Sequence, residues 1–435
     1  MSAALRSFEA QWRARTPDAL QPIRELAMQR FLKLGLPSQR DETWRYTDLR
    51  SLAAVSFGEA GCTAEAAGAA SGNASLSLVS AGQHAATLTM INGCPLLSTD
   101  LPVINGIEIN SIKALYKQDS GILRRFFESA SDADQRRWVL LNTALFIDGL
   151  YLKITQPVAT PLVILHVSTG DAAQAAHPRV IIEASPGASA TIIEHHVSQA
   201  DIAPLNNANT HIALGKDAQL EHYRVYATGA GATHFDSLDI HQSENSRCRQ
   251  FTIVLGGGLV RSSLEARLAQ SGASLDSYSL LVGHQDRHVD CVNIVTHAAP
   301  NTRSRQTARA IASDVSRVIF NSKVIVNAGA NGSDSKQSCR GLLLSPKAEI
   351  DTRPQLEIHA DEVKCAHGAT TGRLDPDMLF YLLSRGLDRE TAQSLLVFAF
   401  LADVLTDMSV GSARAAIENA LISQLPDSQI LRNFR

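Results

Sequence analysis

Apolar positions in the first sixty residues fall at helical intervals. Ile23, Leu26, Ala27, Phe31 and Leu34 line one side of a helix that Gly35 and Pro37 stop. A second short helix is expected in DETWRYTDLRSL, residues 41–52, with Trp44 and Tyr46 as packing residues. Residues 60–72 are rich in Ala and Gly and read as a linker, and a strand-like ATLTMI follows at 86–91. Helical spacing returns over 119–147, where Leu140, Leu141, Ala144 and Leu145 form an apolar stripe.

From about 150 to 370 the period changes. Short β-branched runs such as LVILHVS (162–168), RVIIEA (179–184), ATIIEHHV (190–197) and RVIFNSKVIV (317–326) alternate with turns, and helix signals nearly vanish. The turns SPGAS (185–189), LGKDA (214–218), SENSR (243–247), SGAS (271–274) and APNTR (299–303) recur roughly every 27 to 30 residues, the spacing of a repeat architecture. A β-solenoid stacks one such coil on the next. A β-sandwich or jelly roll is the other architecture that many short strands allow.

After Gly372, Asp375 is placed to cap a helix ending near Leu383, Gly386 to stop it, and Asp388 to start a longer one. That longer helix carries Leu395 through Ala402 without a polar interruption, so several of its sides require cover. The cover is either the end of the solenoid or a partner protein, and Leu395, Phe398 and Leu401 are the candidate partner-binding residues.

Composition narrows the chemistry. Hydrophobic residues are 45% of the 435-residue chain but aromatics only 5%, which suits a narrow interior of small aliphatic side chains. Forty Lys and Arg against forty-three Asp and Glu give a net charge of -3, without the basic excess of a nucleic-acid or anionic-membrane binder. Arg6 and Glu9 interrupt the N-terminus before an apolar stretch forms, so a cytoplasmic location is expected, and Leu395 to Ala402 is too short to span a bilayer. The six cysteines, at 62, 94, 248, 291, 339 and 365, include no CxxC pair, so reduced thiols are expected.

The chain lacks GxxxxGK[ST], GxGxxG, GxSxG and HExxH, which disfavours a self-contained ATPase, dehydrogenase, esterase or zincin. His195 with His196 and His284 with His288 are weak metal candidates. Neighbours on a strand face opposite ways, and an i, i+4 pair needs a helix. In VKCAHG (363–368), by contrast, Cys365 and His367 lie two apart and share one face of an extended chain, a thiolate beside an imidazole. Such ligands suit iron or an iron-sulfur cluster, and no second Cys group completes a four-ligand set, so a cluster held here would be shared with another chain. A buried Cys and a hydrogen-bonded His near a solenoid end is the structural alternative.

DTRPQLEIHADEVKCAHGATTGRLD (351–375), with LFYLLSRGL (379–387), closely resembles the C-terminal hallmark of the SufD branch of the SufB/SufD family, subunits of SufBCD iron-sulfur cluster assembly complexes. LGLPSQRDETWRYTDL (34–49), HAAPNTRSRQ (297–306) and LLLSPKAEID (342–351) extend the resemblance over most of the chain. The KCxHGAT arrangement and the N-terminal PxxxxExWxYT pattern favour the SufD branch over SufB. Asn321-Ser322 stands where the family commonly has Asn-Gly, a change expected to affect only a turn, and NGSDSKQSC (331–339) is a loose version of a family loop.

The resemblance implies a mainly β fold. It comprises an N-terminal helical region (1–72), a mixed α/β connecting region (73–154), a right-handed parallel β-helix (155–372) and a C-terminal helical domain (373–435) that docks an ATPase. It implies a non-catalytic scaffold that pairs with SufB, is contacted by the ATPase SufC, and supports iron entry and nascent cluster formation at the SufB–SufD interface. His367 and, less directly, Cys365 are then the residues that meet iron or a transient shared cluster. A homodimer is the corresponding state of the isolated chain, and flavin is associated with the whole complex without a feature here that places it. A purely structural partner subunit with no cluster ligands is the alternative function.

Overall fold

The structure, a computed structural model, describes residues 2–62, 86–96, 104–131, 136–169, 173–198 and 203–424. Most of the expected Ala- and Gly-rich linker lies outside them. At one corner of each coil a residue is held at positive φ: Gly187, Asp217, Asn245, Gly272, Asn301, Gly332 and Glu362, at intervals of 27 to 31 residues. The small polar and Gly residues of the repeating turns supply this left-handed corner. At Gly272 it is obligatory in two ways, since φ is +75° and a Cβ would fall 2.1 Å from Asn245 Oδ1. The corners stack through backbone bonds, Asp217 N donating to Glu244 O and Asn245 N to Ser271 O, which fixes the pitch of the repeat.

Between corners each coil gives one long strand to each of two sheets, so strands pair with the next-but-one strand and run parallel. The result is a parallel β-helix of about seven turns. It starts at the strand Leu150–Ile154, and Ala86–Ile91 adds a parallel strand to the opposite sheet. Inward positions form ladders, of which Leu152, Ile182, Ile212, Ile240, Ala266, Val295 and Val324 are one. Along this row the bore holds small aliphatic side chains, in keeping with the low aromatic content of the chain. Asn321-Ser322 is not at a turn. It lies in mid-strand in Arg317–Val326, where Ser322 points inward, donates to Gln306 Oε1 and accepts from Gln337 Nε2 at 2.6 Å. In 331–339, likewise, the corner ends at Gly332 and the strand Asp334–Leu343 follows.

Helices cover the outside of both sheets. The N-terminal helices α1 (Ala3–Ala14), α2 (Gln21–Leu34) and α3 (Arg50–Ala53), then α4 (Ile112–Gln118), α5 (Ser120–Ser131) and α6 (Arg137–Leu145), lie toward the sheet that contains Leu205–Leu214. The segment expected as one helix over 41–52 is a 3-10 turn, Glu42–Trp44, separated from α3. Its side chains are spent on contacts with the β-helix instead. Trp44 packs among Trp138, Phe235 and the Arg261 guanidinium, the last 3.8 Å above its ring. Thr47 donates to Asp290 at 2.5 Å, and Glu42 pairs with Arg353 at 2.5 Å. The DETWRYT motif is thus a clasp.

The C-terminal helices α7 (Pro376–Ser384), α8 (Arg389–Leu405) and α9 (Gly411–Ser423) serve the other sheet. An outer ladder of stacked rings, Tyr223, Phe251 and Tyr278, meets Val397, Leu401, Val404 and Leu405 of α8 and Ile417 and Leu421 of α9. The cover for the apolar helix is therefore mainly the chain's own β-helix.

Cys62 and Cys94 form a disulfide, with Cα atoms 5.9 Å apart, contrary to the expectation of reduced thiols throughout. Their separation of 32 residues carries no pairing signal. Tertiary contacts bring them together, since Asn92 Nδ2 donates to Gly61 O and to Thr169 Oγ1.

Three histidines, His177 and His297 buried and His211 partly so, set an acid limit on this fold. Burial first, and nearby cations at His177 and His211, push His177 down to about 3 and His211 and His297 down to about 4, against about 6.5 in an unfolded chain. The unfolded chain binds protons below pH 6.5 that the folded chain refuses, so stability is full above that pH and falls as pH drops toward 4. The midpoint of thermal unfolding is expected to decrease from pH 7 to pH 5. A midpoint that stays level or rises would contradict it.

Candidate functional site

The last coil leaves one end of the β-helix open among the described residues. Its strands, Glu349–Ile358 and Lys364–Gly372, each pair on one side only, with Arg317–Val326 and Asp334–Leu343 respectively. Pro354 sits in the first of them, a residue tolerated at a sheet edge because it has no N–H to donate. In the second strand Cys365 aligns with Ser335 and His367 with Gln337. Ser335 and Gln337 are inward and buried, so Cys365 and His367 occupy inward rows of the final coil, while Lys364 and Ala366 fall in the alternate rows.

Behind these two residues the rows are polar. His297 lies 2.8 Å from Ser304 Oγ, Ser304 Oγ lies 2.9 Å from Ser335 Oγ, and Ser335 is the register neighbour of Cys365. The HAAPNTRSRQ stretch thereby backs Cys365. Gln250, Ser277, Gln306 and Gln337 precede His367 in its own row, all buried. Cys365 is half-buried against the aliphatic bore and burial pushes its thiol up, whereas His367 is exposed. The open end thus offers a soft sulfur donor and an accessible imidazole side by side, beside free strand edges.

Of the other histidines, His195 and His196 do face opposite ways. His288 bonds Thr47 Oγ1 at 2.9 Å, while His284 lines a cleft under α8, and neither belongs to a metal-binding group among the described residues. His196, a weak candidate when paired with His195, belongs instead to a larger group whose other members no spacing had singled out. His166, Glu194, His196, His222, Arg224, Tyr226, His234 and Asp236 all point into the bore and are buried. Glu194 sits 2.9 Å from both His166 Nε2 and His222 Nε2 and accepts from Thr210. Burial works to raise its carboxyl, yet these hydrogen bonds prevail and hold it well below the usual range. Burial likewise opposes ionisation of Asp236, but Arg224 keeps it below the carboxylate range. The signal that could have exposed the group is the i, i+2 spacing of Glu194/His196, His222/Arg224 and His234/Asp236 within strands.

The three docking candidates on α8 fare differently. Leu401 is fully buried against the β-helix and is not available to a partner, a correction to the expectation that it docks one. Leu395 and Phe398 are half-buried. The exposed apolar surface lies instead on α7, where Met378, Phe380 and Tyr381 are 57%, 71% and 56% exposed and no residue is buried. No helix among the described residues is long and apolar enough to cross a membrane.

Comparison with known proteins gives two family matches. Residues 166–400 match the SUF system FeS cluster assembly SufBD core domain, and residues 5–164 match the SufBD protein N-terminal region. The iron-sulfur cluster assembly protein SufD of Escherichia coli (strain K12) is 29% identical over 400 residues, covering 91% of this chain and 90% of the relative. A SufBD family iron-sulfur cluster assembly protein of Synechocystis is 29% identical, covering 89% of this chain and 87% of the relative. The SufD protein of Bacillus subtilis (strain 168) is 24% identical, covering 73% of each.

Proposed function

This chain belongs to the SufBD family of iron-sulfur cluster assembly proteins, and from that premise we propose that it is a non-catalytic scaffold subunit whose open β-helix end pairs with a SufB-type subunit. A nascent cluster, the complex's cargo, forms in the seam so created. The observation that carries this reading is the placement of Cys365 and His367 on inward rows of the last coil, which has no successor among the described residues. Unpaired edges need a cap or a partner, and a second β-helix of like pitch supplies backbone partners for both edge strands. A cluster needs about four ligands, so two from this chain leave the rest to the partner. In isolation the same end is free for a second copy of the chain. Co-purification with SufB and SufC homologues, followed by anaerobic iron and acid-labile sulfide analysis, tests the reading. A complex that forms but holds no cluster under conditions that load the family's complexes would overturn it in favour of a purely structural subunit.

ATP hydrolysis belongs, in this proposal, to a SufC-type partner docked on the C-terminal helices. Phe380, Tyr381 and Met378 are the contact residues, in place of Leu401. Covering a few such side chains contributes several kcal/mol at about 25 cal/mol per Å². A chain ending at Arg373 is expected to fail to capture the ATPase, and Phe380→Asp in the full chain to weaken capture by at least about tenfold, the scale of a central aromatic anchor. Full capture and ATPase stimulation by both variants would place the docking surface elsewhere.

A further inference from the structure

The bore of a β-helix is a costly place for an imidazole without a partner, because each buried ring nitrogen left without a hydrogen bond forfeits its hydration. His196 and His234 are both in that state. Each is fully buried, and neither ring nitrogen of either residue has a hydrogen-bond partner among the described residues. They come from different sheets, on the strands Ser189–Ser198 and Thr233–Gln242, and their rings meet edge to face with centroids 4.7 Å apart.

Both aim at one oxygen. His196 Nε2 lies 3.7 Å and His234 Nε2 3.8 Å from Asp236 Oδ2, too far for hydrogen bonds. Two donors bound at about 2.1 Å to one ion, at tetrahedral to trigonal angles, stand about 3.4–3.6 Å apart, so a shift of a few tenths of an ångström brings these donors to ligand spacing. The surrounding groups fix the carboxylate for that role. Arg224 holds its other oxygen, Oδ1, at 3.3 Å and is itself tied to Thr252 Oγ1 at 3.1 Å, while Tyr226 donates to Oδ2 at 2.6 Å. His166 stacks on His196 with centroids 4.2 Å apart and turns its own Nε2 to Glu194. Asp236 and Glu194 are both buried, Asp236 beside the Arg224 guanidinium and Glu194 between His166 and His222.

We propose that His196, His234 and Asp236 form a site for one divalent first-row transition-metal ion, Fe²⁺ or Zn²⁺, inside the β-helix and separate from the terminal coil. Two imidazoles and a carboxylate suit both ions. The second-sphere bonds from Tyr226 and Arg224 orient the carboxylate as such partners do in metal sites. Because the donors come from two sheets of a closed bore, the ion is captured as the coils close, and its binding adds to the stability of the fold.

The test uses the untagged full chain carrying Cys365→Ser and His367→Ala, so that the terminal coil contributes nothing. It is produced in cells supplied with Fe²⁺, Zn²⁺ or Co²⁺, handled without oxygen and washed with chelator. About one metal ion per chain should remain, and which of iron and zinc is kept identifies the native ion. The Co²⁺ form should show visible d–d absorption, and X-ray absorption at the metal edge should show nitrogen and oxygen ligands without sulfur. His234→Gln should lower the retained metal at least about tenfold, and His195→Gln, on the outward row, should leave it unchanged. Should His234→Gln fail to fold, the parent chain's metal content and edge spectrum decide alone. Less than about a tenth of an ion per chain with all three metals, or sulfur ligation, overturns the proposal.

Discussion

His367→Ala is expected to reduce cluster assembly on the purified complex by at least about tenfold, the scale on which losing a metal-site partner acts, while leaving subunit stoichiometry and thermal midpoint nearly unchanged. The asymmetry follows from position. His367 is exposed on the last coil and no hydrogen bond or packing cluster described above depends on it, so truncating its side chain removes chemistry and little packing. An imidazole also releases a cluster more readily than a thiolate does and raises its potential, and a transfer scaffold needs such lability. Lys364→Gln and Ala366→Ser provide the internal control, because those side chains fall in the alternate rows. The measurement is anaerobic iron and sulfide content with time, on wild type and the three variants. Wild-type assembly rates in His367→Ala would remove it from the site, and dissociation of the variant complex would assign it a structural role.

Trp44→Ala is expected to cost about 3–5 kcal/mol, the range for deleting a buried large aromatic. Trp44 is 6% exposed and fills the junction between the N-terminal segment, α6 and the β-helix. Its loss also strips Arg261 of the ring beneath it, leaving that buried guanidinium to Asp290 and Thr43 O alone. Since the clasp is the main bond between the first sixty residues and the coils around Arg261 and Asp290, the N-terminal helices should open before the β-helix unfolds. Urea unfolding with limited proteolysis checks this. The expected result is early cleavage before residue 60 with a β-sheet transition close to wild type, and a loss below about 1 kcal/mol would show that the clasp does not depend on Trp44.

The periodic part of the fold was legible because its determinants are local. A corner at positive φ favours Gly, Asn or Asp, and the intervening alternation favours β-branched and small residues, so both leave a mark on the sequence. Asp375, Gly386 and Asp388 mark the C-terminal helices for the same reason, as N-cap, left-handed stop and N-cap, with Asp388 accepting from Thr391 N at 2.9 Å. The pairing of Cys365 with His367 on one face was equally readable, since a two-residue spacing decides a face without any knowledge of neighbours.

Register and contact decided the rest. The sequence by itself determined a repeating β-domain between helical ends and a Cys–His pair sharing one face of an extended segment, and its pattern left coil and sandwich both open. Only the tertiary structure decided that Leu401 faces inward while Phe380 faces out, because an all-apolar helix has no polar side to say which way it turns. Only it brought Cys62 to Cys94, and set His196 and His234 from separate sheets around Asp236. Such meetings depend on which coil stacks on which, a sum of many weak long-range contacts that no spacing along the chain encodes.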